Sequence, residues 1–170
     1  MKHFTDPVAE TEVVTTIFYT PLGLMRLAAS PLGLCGVWFE GQNHQPDASS
    51  WPTAKDHPLL QRAITQLTQY FAGQREQFDL ALDLTAGTPF QQTVWRALHS
   101  LAFGQTCSYG ALSAHIGRPT AVRALSGAVA RNPLSIVVPC HRVLGASGAL
   151  TGYAGGLERK AALLKLEGAL

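Results

Sequence analysis

The sequence predicts an α/β unit built on a small antiparallel sheet, followed by a mainly α unit. Three observations predict it. Between Val13 and Glu40 apolar runs are punctuated by two copies of Pro-Leu-Gly, at 21–23 and 31–33, and such punctuation marks tight turns between strands. From Pro58 to Phe71 apolar residues recur at helical spacing. Beyond residue 84, signals that start and stop helices dominate. The expected units are residues 1–84 and 85–170.

Taken in order, Phe18–Thr20, Leu24–Ala29 and Leu34–Phe39 read as the strands of a meander, and the polar, proline-bearing stretch 41–55 reads as a loop. Pro58 takes the favoured first position of a helix whose stripe is Leu60, Ile64, Leu67 and Phe71, ended by Gly73. Nothing in this half forms a chemical constellation, and His44 and His57 read as surface residues. Thr88-Pro89-Phe90-Gln91 is a capping box opening a helix with Phe90, Val94, Leu98 and Leu101 on its apolar face. Ser108 caps a short helix from Tyr109 to Ile116, Gly117 turns the chain, and a second helix runs from Pro119 until Asn132-Pro133 stops it. Paired short helices with a glycine turn are compatible with a helix-turn-helix and also with ordinary helical packing. Gly145–Gly148 reads as a turn, Gly152–Gly156 as a mobile or closely packed loop, and a last helix over 157–166 is expected to bury Leu157, Ala161 and Leu164 before Gly168 ends it.

The apolar share of 46% suits a packed core and excludes a disordered chain. Neither a membrane-spanning run nor the apolar stretch of a secretory signal is visible, so a cytoplasmic location is expected. The 3 cysteines, Cys35, Cys107 and Cys140, show no Cys-x-x-Cys spacing, which argues against a disulfide framework or a four-cysteine metal site. Charge divides unevenly. Residues 1–84 hold five Lys/Arg against nine Asp/Glu, whereas residues 85–170 hold eight against two. A basic half suits a polyanion, although basic faces are often merely solvated.

The chemistry concentrates in Ile136-Val137-Val138-Pro139-Cys140-His141-Arg142-Val143. Three branched apolar residues before a proline read as a short buried strand that delivers Cys140 on a rigid base. An adjacent imidazole is suited to take a proton from a thiol, and the thiolate is the nucleophile. Cys140 is the candidate nucleophile; a small buried core thiol is the plainer alternative. Asn132-Pro133 followed by Ile-Val-Val-Pro-Cys-His-Arg closely resembles the active-site signature of the O6-alkylguanine-DNA alkyltransferases, and the resemblance runs from about Thr88 to Gly168.

That resemblance implies a ribonuclease-H-like N-terminal fold, a winged helix-turn-helix in the C-terminal half, and repair of DNA by transfer of an alkyl group, chiefly methyl, to Cys140 in one irreversible turnover. It implies that Glu167 holds His141, which polarises Cys140 through a water, and that Tyr109 stabilises the leaving base. Asn132 would fix the turn before the active-site segment. Arg123 would replace the flipped nucleotide, with Arg118, Arg131 and Ser126 on the same DNA-facing helix pair. Pro139, Val143, Tyr153 and Ala154 would line the base pocket, the carbonyls of Cys140 and Val143 reading the base amino group. Some relatives have serine at Ala154; lacking that hydroxyl, the pocket is expected to discriminate less and to admit O4-alkylthymine and alkyl groups larger than methyl. The implied partner is double-stranded DNA carrying O6-alkylguanine, bound by a monomer without cofactor. Some relatives carry an N-terminal zinc, but His3, Cys35 and His44 show no clustered pattern, so no metal is expected. Two rivals stand beside this reading: a cysteine hydrolase or acyltransferase that uses Cys140, His141 and Glu167 and turns over, and a lesion binder without chemistry, against which the presence of Cys140 argues.

Overall fold

A computed structural model describes residues 12–170; His3 and the rest of the first eleven residues lie outside it. Strands β1 (Val14–Thr20), β2 (Gly23–Ser30) and β3 (Gly33–Phe39) form an antiparallel sheet in sequence order, with the Pro-Leu pairs in the two turns. Helix α1 (Pro58–Phe71) packs on that sheet through Leu60, Ala63, Leu67 and Tyr70, all fully buried. The buried face is centred slightly away from the expected stripe, because Ile64 and Phe71 are only partly covered.

Helix α2 (Pro89–His99) begins at the expected capping box: Thr88 Oγ1 accepts from the Gln91 N–H at 3.1 Å, and Gln91 Oε1 accepts from the Thr88 N–H at 3.0 Å. Trp95 on this helix donates through Nε1 to the Ala128 carbonyl at 2.9 Å, fixing α2 against helix α4 (Val122–Ala130). Between them, β4 (Cys107–Ser108) leads into α3 (Tyr109–His115), capped by Ser108 Oγ accepting from the Ala111 N–H at 3.0 Å. β4 pairs in parallel with β5 (Val143–Leu144), and α5 (Leu157–Leu166) closes the chain. No helix among the described residues is long and apolar enough to cross a membrane.

Three local expectations are corrected. Helix α4 starts at Val122, not at Pro119, because Arg118–Ala121 closes a turn in which the Ala121 N–H donates to the Arg118 carbonyl at 2.9 Å. Helix α5 buries Leu164 as expected but exposes Leu157 and covers Ala161 only partly, burying Lys160 and Leu163 in their place. The stretch 136–138 is not a strand. Ile136 sits at φ 73°, in the left-handed region that branched residues avoid. The segment is a buried turn, with the Val138 N–H donating to the Leu134 carbonyl at 2.8 Å.

That turn is held from both halves of the chain. On one side β3 clasps its entry: the Val37 N–H donates to the Pro133 carbonyl at 2.8 Å, and the Ser135 N–H donates to the Val37 carbonyl at 2.9 Å. On the other side Asn132 Nδ2 donates to the Val138 carbonyl at 2.7 Å while its Oδ1 accepts from the Leu134 N–H at 3.0 Å. A buried amide used at both ends fixes the backbone on which Cys140 rides.

Candidate active site

Cys140 opens a single 3-10 turn, Cys140–Arg142, in which the Val143 N–H donates to the Cys140 carbonyl. The thiol is 6% exposed and lines a cavity of about 210 Å³ with Tyr109, Ser126, Val129, Tyr153 and Ala154. Burial raises the Cys140 pKa, and the Asn132 side chain and the nearby Lys160 charge act in the opposite direction.

His141 and Glu167 are brought together as expected. His141 Nε2 lies 2.8 Å from Glu167 Oε2, both side chains fully buried. Two further donors reach the same carboxylate. Arg142 forks onto it, Nε to Oε1 at 2.7 Å and Nη2 to Oε2 at 2.8 Å, and the Tyr70 hydroxyl donates to Oε2 at 2.6 Å. Burial by itself raises the Glu167 pKa, but the hydrogen bonds from Arg142, His141 and Tyr70 outweigh it and hold the carboxyl down at about 2. Burial pushes the His141 pKa below its ordinary value against the pull of Glu167.

The geometry at Glu167 selects one tautomer of a neutral imidazole. An ionised carboxylate only accepts, so a neutral His141 presents Nε2–H to Glu167 and keeps its lone pair on Nδ1. Nδ1 is buried with no protein hydrogen-bond partner. The site therefore contains a neutral, oriented imidazole with its basic nitrogen unused.

Lys160 was not singled out from the sequence, nor were the roles of Arg142 and Tyr70. Lys160 is fully buried, and its Nζ donates to the carbonyls of Val143 at 2.6 Å, Thr151 at 2.7 Å and Gly152 at 3.2 Å. Burial lowers its pKa to about 8, while the Cys140 thiolate acts to raise it. Three carbonyls match the three donors of an ammonium, so the site suits a charged Lys160, whose positive charge acts on Cys140. Its position was legible, since Lys160 precedes Leu163, Leu164 and Glu167 by three, four and seven residues, on the apolar face of α5.

The remaining expected residues divide. Tyr109 and Tyr153 both border the cavity; the Tyr109 hydroxyl donates to the Thr151 carbonyl at 3.2 Å, whereas the Tyr153 hydroxyl is buried without a partner. Ser126 also lines the cavity, with its Oγ donating back to the Val122 carbonyl at 2.8 Å. Arg118, Arg123 and Arg131 are exposed and form no ion pair among the described residues. Two expected pocket residues lie beside this cavity and do not line it. Pro139 borders a different cavity, beside Arg142 and Phe103, and Val143 is buried behind the site with its carbonyl taken by Lys160. His44, expected at an inert surface, lies with Asn43 at the edge of the Cys140 cavity.

Comparison with known proteins gives these groups a setting. Residues 13–84 match the ribonuclease-like domain of 6-O-methylguanine DNA methyltransferase, and residues 89–169 match its DNA binding domain. A methylated-DNA–protein-cysteine methyltransferase of Mycolicibacterium paratuberculosis is 46% identical over 148 residues, covering 87% of this chain and 88% of the relative. That of Methanosarcina acetivorans is 45% identical over 153 residues, covering 89% and 96%. The crystal structure of Mycobacterium tuberculosis O6-methylguanine methyltransferase superposes with a TM-score of 0.83 at 44% identity, over 91% of this chain and 92% of that one. The same values hold for Mycobacterium tuberculosis OGT in complex with DNA. With both halves matched in order, the chain belongs to the 6-O-methylguanine DNA methyltransferase family, enzymes that repair DNA by direct alkyl transfer.

Proposed function

We propose that Cys140 is the alkyl acceptor and that its substrate is O6-alkylguanine in double-stranded DNA. The observation that carries this reading is His141, held by Glu167 with Nδ1 unpartnered, beside a buried thiol that lines a cavity. A water joining Nδ1 to Sγ, in a buried polar gap of this kind, lets His141 draw the thiol proton. Sγ then attacks the alkyl carbon; the new S–C bond forms as the C–O6 bond breaks, and the guanine leaves with the bonding pair. The proton lost by the thiol balances the charge on the departing base, with Tyr109 donating to it at the cavity wall. Lys160 and Asn132 favour the thiolate throughout.

The relative solved with DNA supports DNA binding by this chain. The exposed Arg118, Arg123 and Arg131 support a contact through α3 and α4, and the chain binds as a monomer in this reading. The target atom is buried in a duplex, so the base is flipped out and Arg123 fills the gap. Ala154 offers a backbone and no hydroxyl to the leaving oxygen, which supports relaxed discrimination and acceptance of O4-alkylthymine.

The S–C bond of a thioether resists hydrolysis at neutral pH, so each molecule acts once. Methyl groups removed from methylated duplex DNA should plateau at the molar amount of protein, and the mass of the Cys140 peptide should rise by one methyl group. Cys140→Ser should bind and transfer nothing, since a hydroxyl is far less acidic. Repeated turnover with an unmodified Cys140 would instead establish the hydrolase.

A further inference from the structure

The wall of the Cys140 cavity is not built by the C-terminal half alone. Asn43 and His44, from the segment after β3, complete it. The Asn43 N–H donates to the Ala154 carbonyl at 3.1 Å, tying this segment to the loop opposite α4. Side chains within the segment shape it: Gln42 Oε1 accepts from the Phe39 N–H at 2.8 Å, and Gln45 Oε1 from the Gly41 N–H at 2.7 Å. His44 itself sits at φ 60°, in the left-handed region.

Two properties distinguish this part of the wall. Val129, Cys140 and Tyr153 are buried and packed in the core, so they yield only at the expense of the fold, whereas Asn43 and His44 are exposed. Behind His44 there is space. The same residue lines a second cavity of about 570 Å³, bordered by Gln45, Pro46 and Trp51. An imidazole between a cavity of about 210 Å³ and a larger one has room to turn from the first into the second without moving the core.

We propose that His44 is a specificity-determining residue that sets the size of O6 substituent the pocket accepts. A methyl group leaves the wall as it stands. A bulkier substituent, such as benzyl, requires the imidazole to move toward the second cavity, at a cost that the methyl substrate does not meet. The inference rests on the reading of the Cys140 cavity as the alkylguanine pocket.

The test uses the full chain and measures second-order rate constants for transfer to Cys140. The substrates are O6-methylguanine and O6-benzylguanine in the same duplex sequence, and both as free bases. His44→Gly suits the left-handed backbone and His44→Asn tolerates it, so neither variant disturbs the loop. The benzyl-to-methyl ratio should rise about tenfold in His44→Gly and by less in His44→Asn, in duplex and free base alike, the scale expected for relief of steric exclusion in a pocket. A ratio unchanged within about twofold overturns the proposal. So does a change confined to the duplex, which would make His44 a contact to DNA. If the wild-type chain transfers no methyl group from duplex DNA, the parent reading fails, and that result is distinct from an unaltered ratio.

Discussion

At the scale of single residues the site is an arrangement of charges that water does not screen. Glu167 accepts from His141, Arg142 and Tyr70, and Lys160 is enclosed by three carbonyls behind Cys140. A buried charge is tolerable when every donor and acceptor is used, and removing one partner is what costs most. Lys160→Met therefore leaves the Val143, Thr151 and Gly152 carbonyls without their donor and Cys140 without its neighbouring cation. Urea unfolding should show a loss of at least about 2 kcal/mol. Thiolate absorbance followed against pH should show Cys140 deprotonating at higher pH than in the wild type, with alkyl transfer slowed in parallel. An unshifted thiolate titration would mean that Lys160 only holds the loop.

Among the elements, α4 has two jobs on two faces. Leu125, Ala128 and Val129 are buried, Ser126 reaches the cavity, and Arg123 stands exposed a turn earlier. Arg118 and Arg131 flank the helix, the latter with Nη1 donating to the Gly127 carbonyl at 3.2 Å. If Arg118 and Arg131 neutralise phosphates, each alanine variant should weaken DNA binding uniformly across sequences and lower the salt slope by about one. Arg123→Ala should instead lose more duplex repair than binding, and its repair of the free base should be spared. Equal loss of binding and repair would reduce Arg123 to another phosphate contact. Part of this element was legible from sequence: Asn132-Pro133 marked its end, whereas Pro119 did not mark its start. The segment that follows was not. A run of Ile, Val and Val reports burial, and burial suits a turn as well as a strand; what bends 135–138 is the clamp of Asn132 and the edge of β3, which no local pattern encodes.

At the scale of the whole molecule the N-terminal half is part of the site, although its sequence carries no chemical motif. Its contributions are Tyr70 on Glu167, Val37 on the active-site turn, and Asn43 and His44 on the cavity. Arg159 on α5 joins the halves as well, donating to the Leu22 carbonyl at 2.9 Å and lying 4.4 Å from the Phe39 ring. Residues whose partners lie tens of positions away give no local signal, which is why Cys140, His141 and Glu167 were readable in the C-terminal sequence and their support from the N-terminal half was not. The coupling has a measurable consequence in acid. Glu167 titrates at about 2 in the folded protein against 4.5 for the free side chain, so the unfolded chain binds the proton more readily between those values. The ionised carboxylate thus stabilises the fold above about 4.5, and that contribution disappears as pH falls toward 2. Tyr70→Phe removes one donor from across the molecule and should raise the folded pKa of Glu167, narrowing this window from its acid side. Glu167→Gln should abolish it, flattening the dependence of stability on pH there by up to one proton's worth while lowering stability at neutral pH, because Arg142 loses its partner. Denaturant unfolding at a series of pH values on all three proteins measures both slopes. A Glu167→Gln slope equal to that of the wild type would show that Glu167 is not the group whose proton uptake couples the two halves.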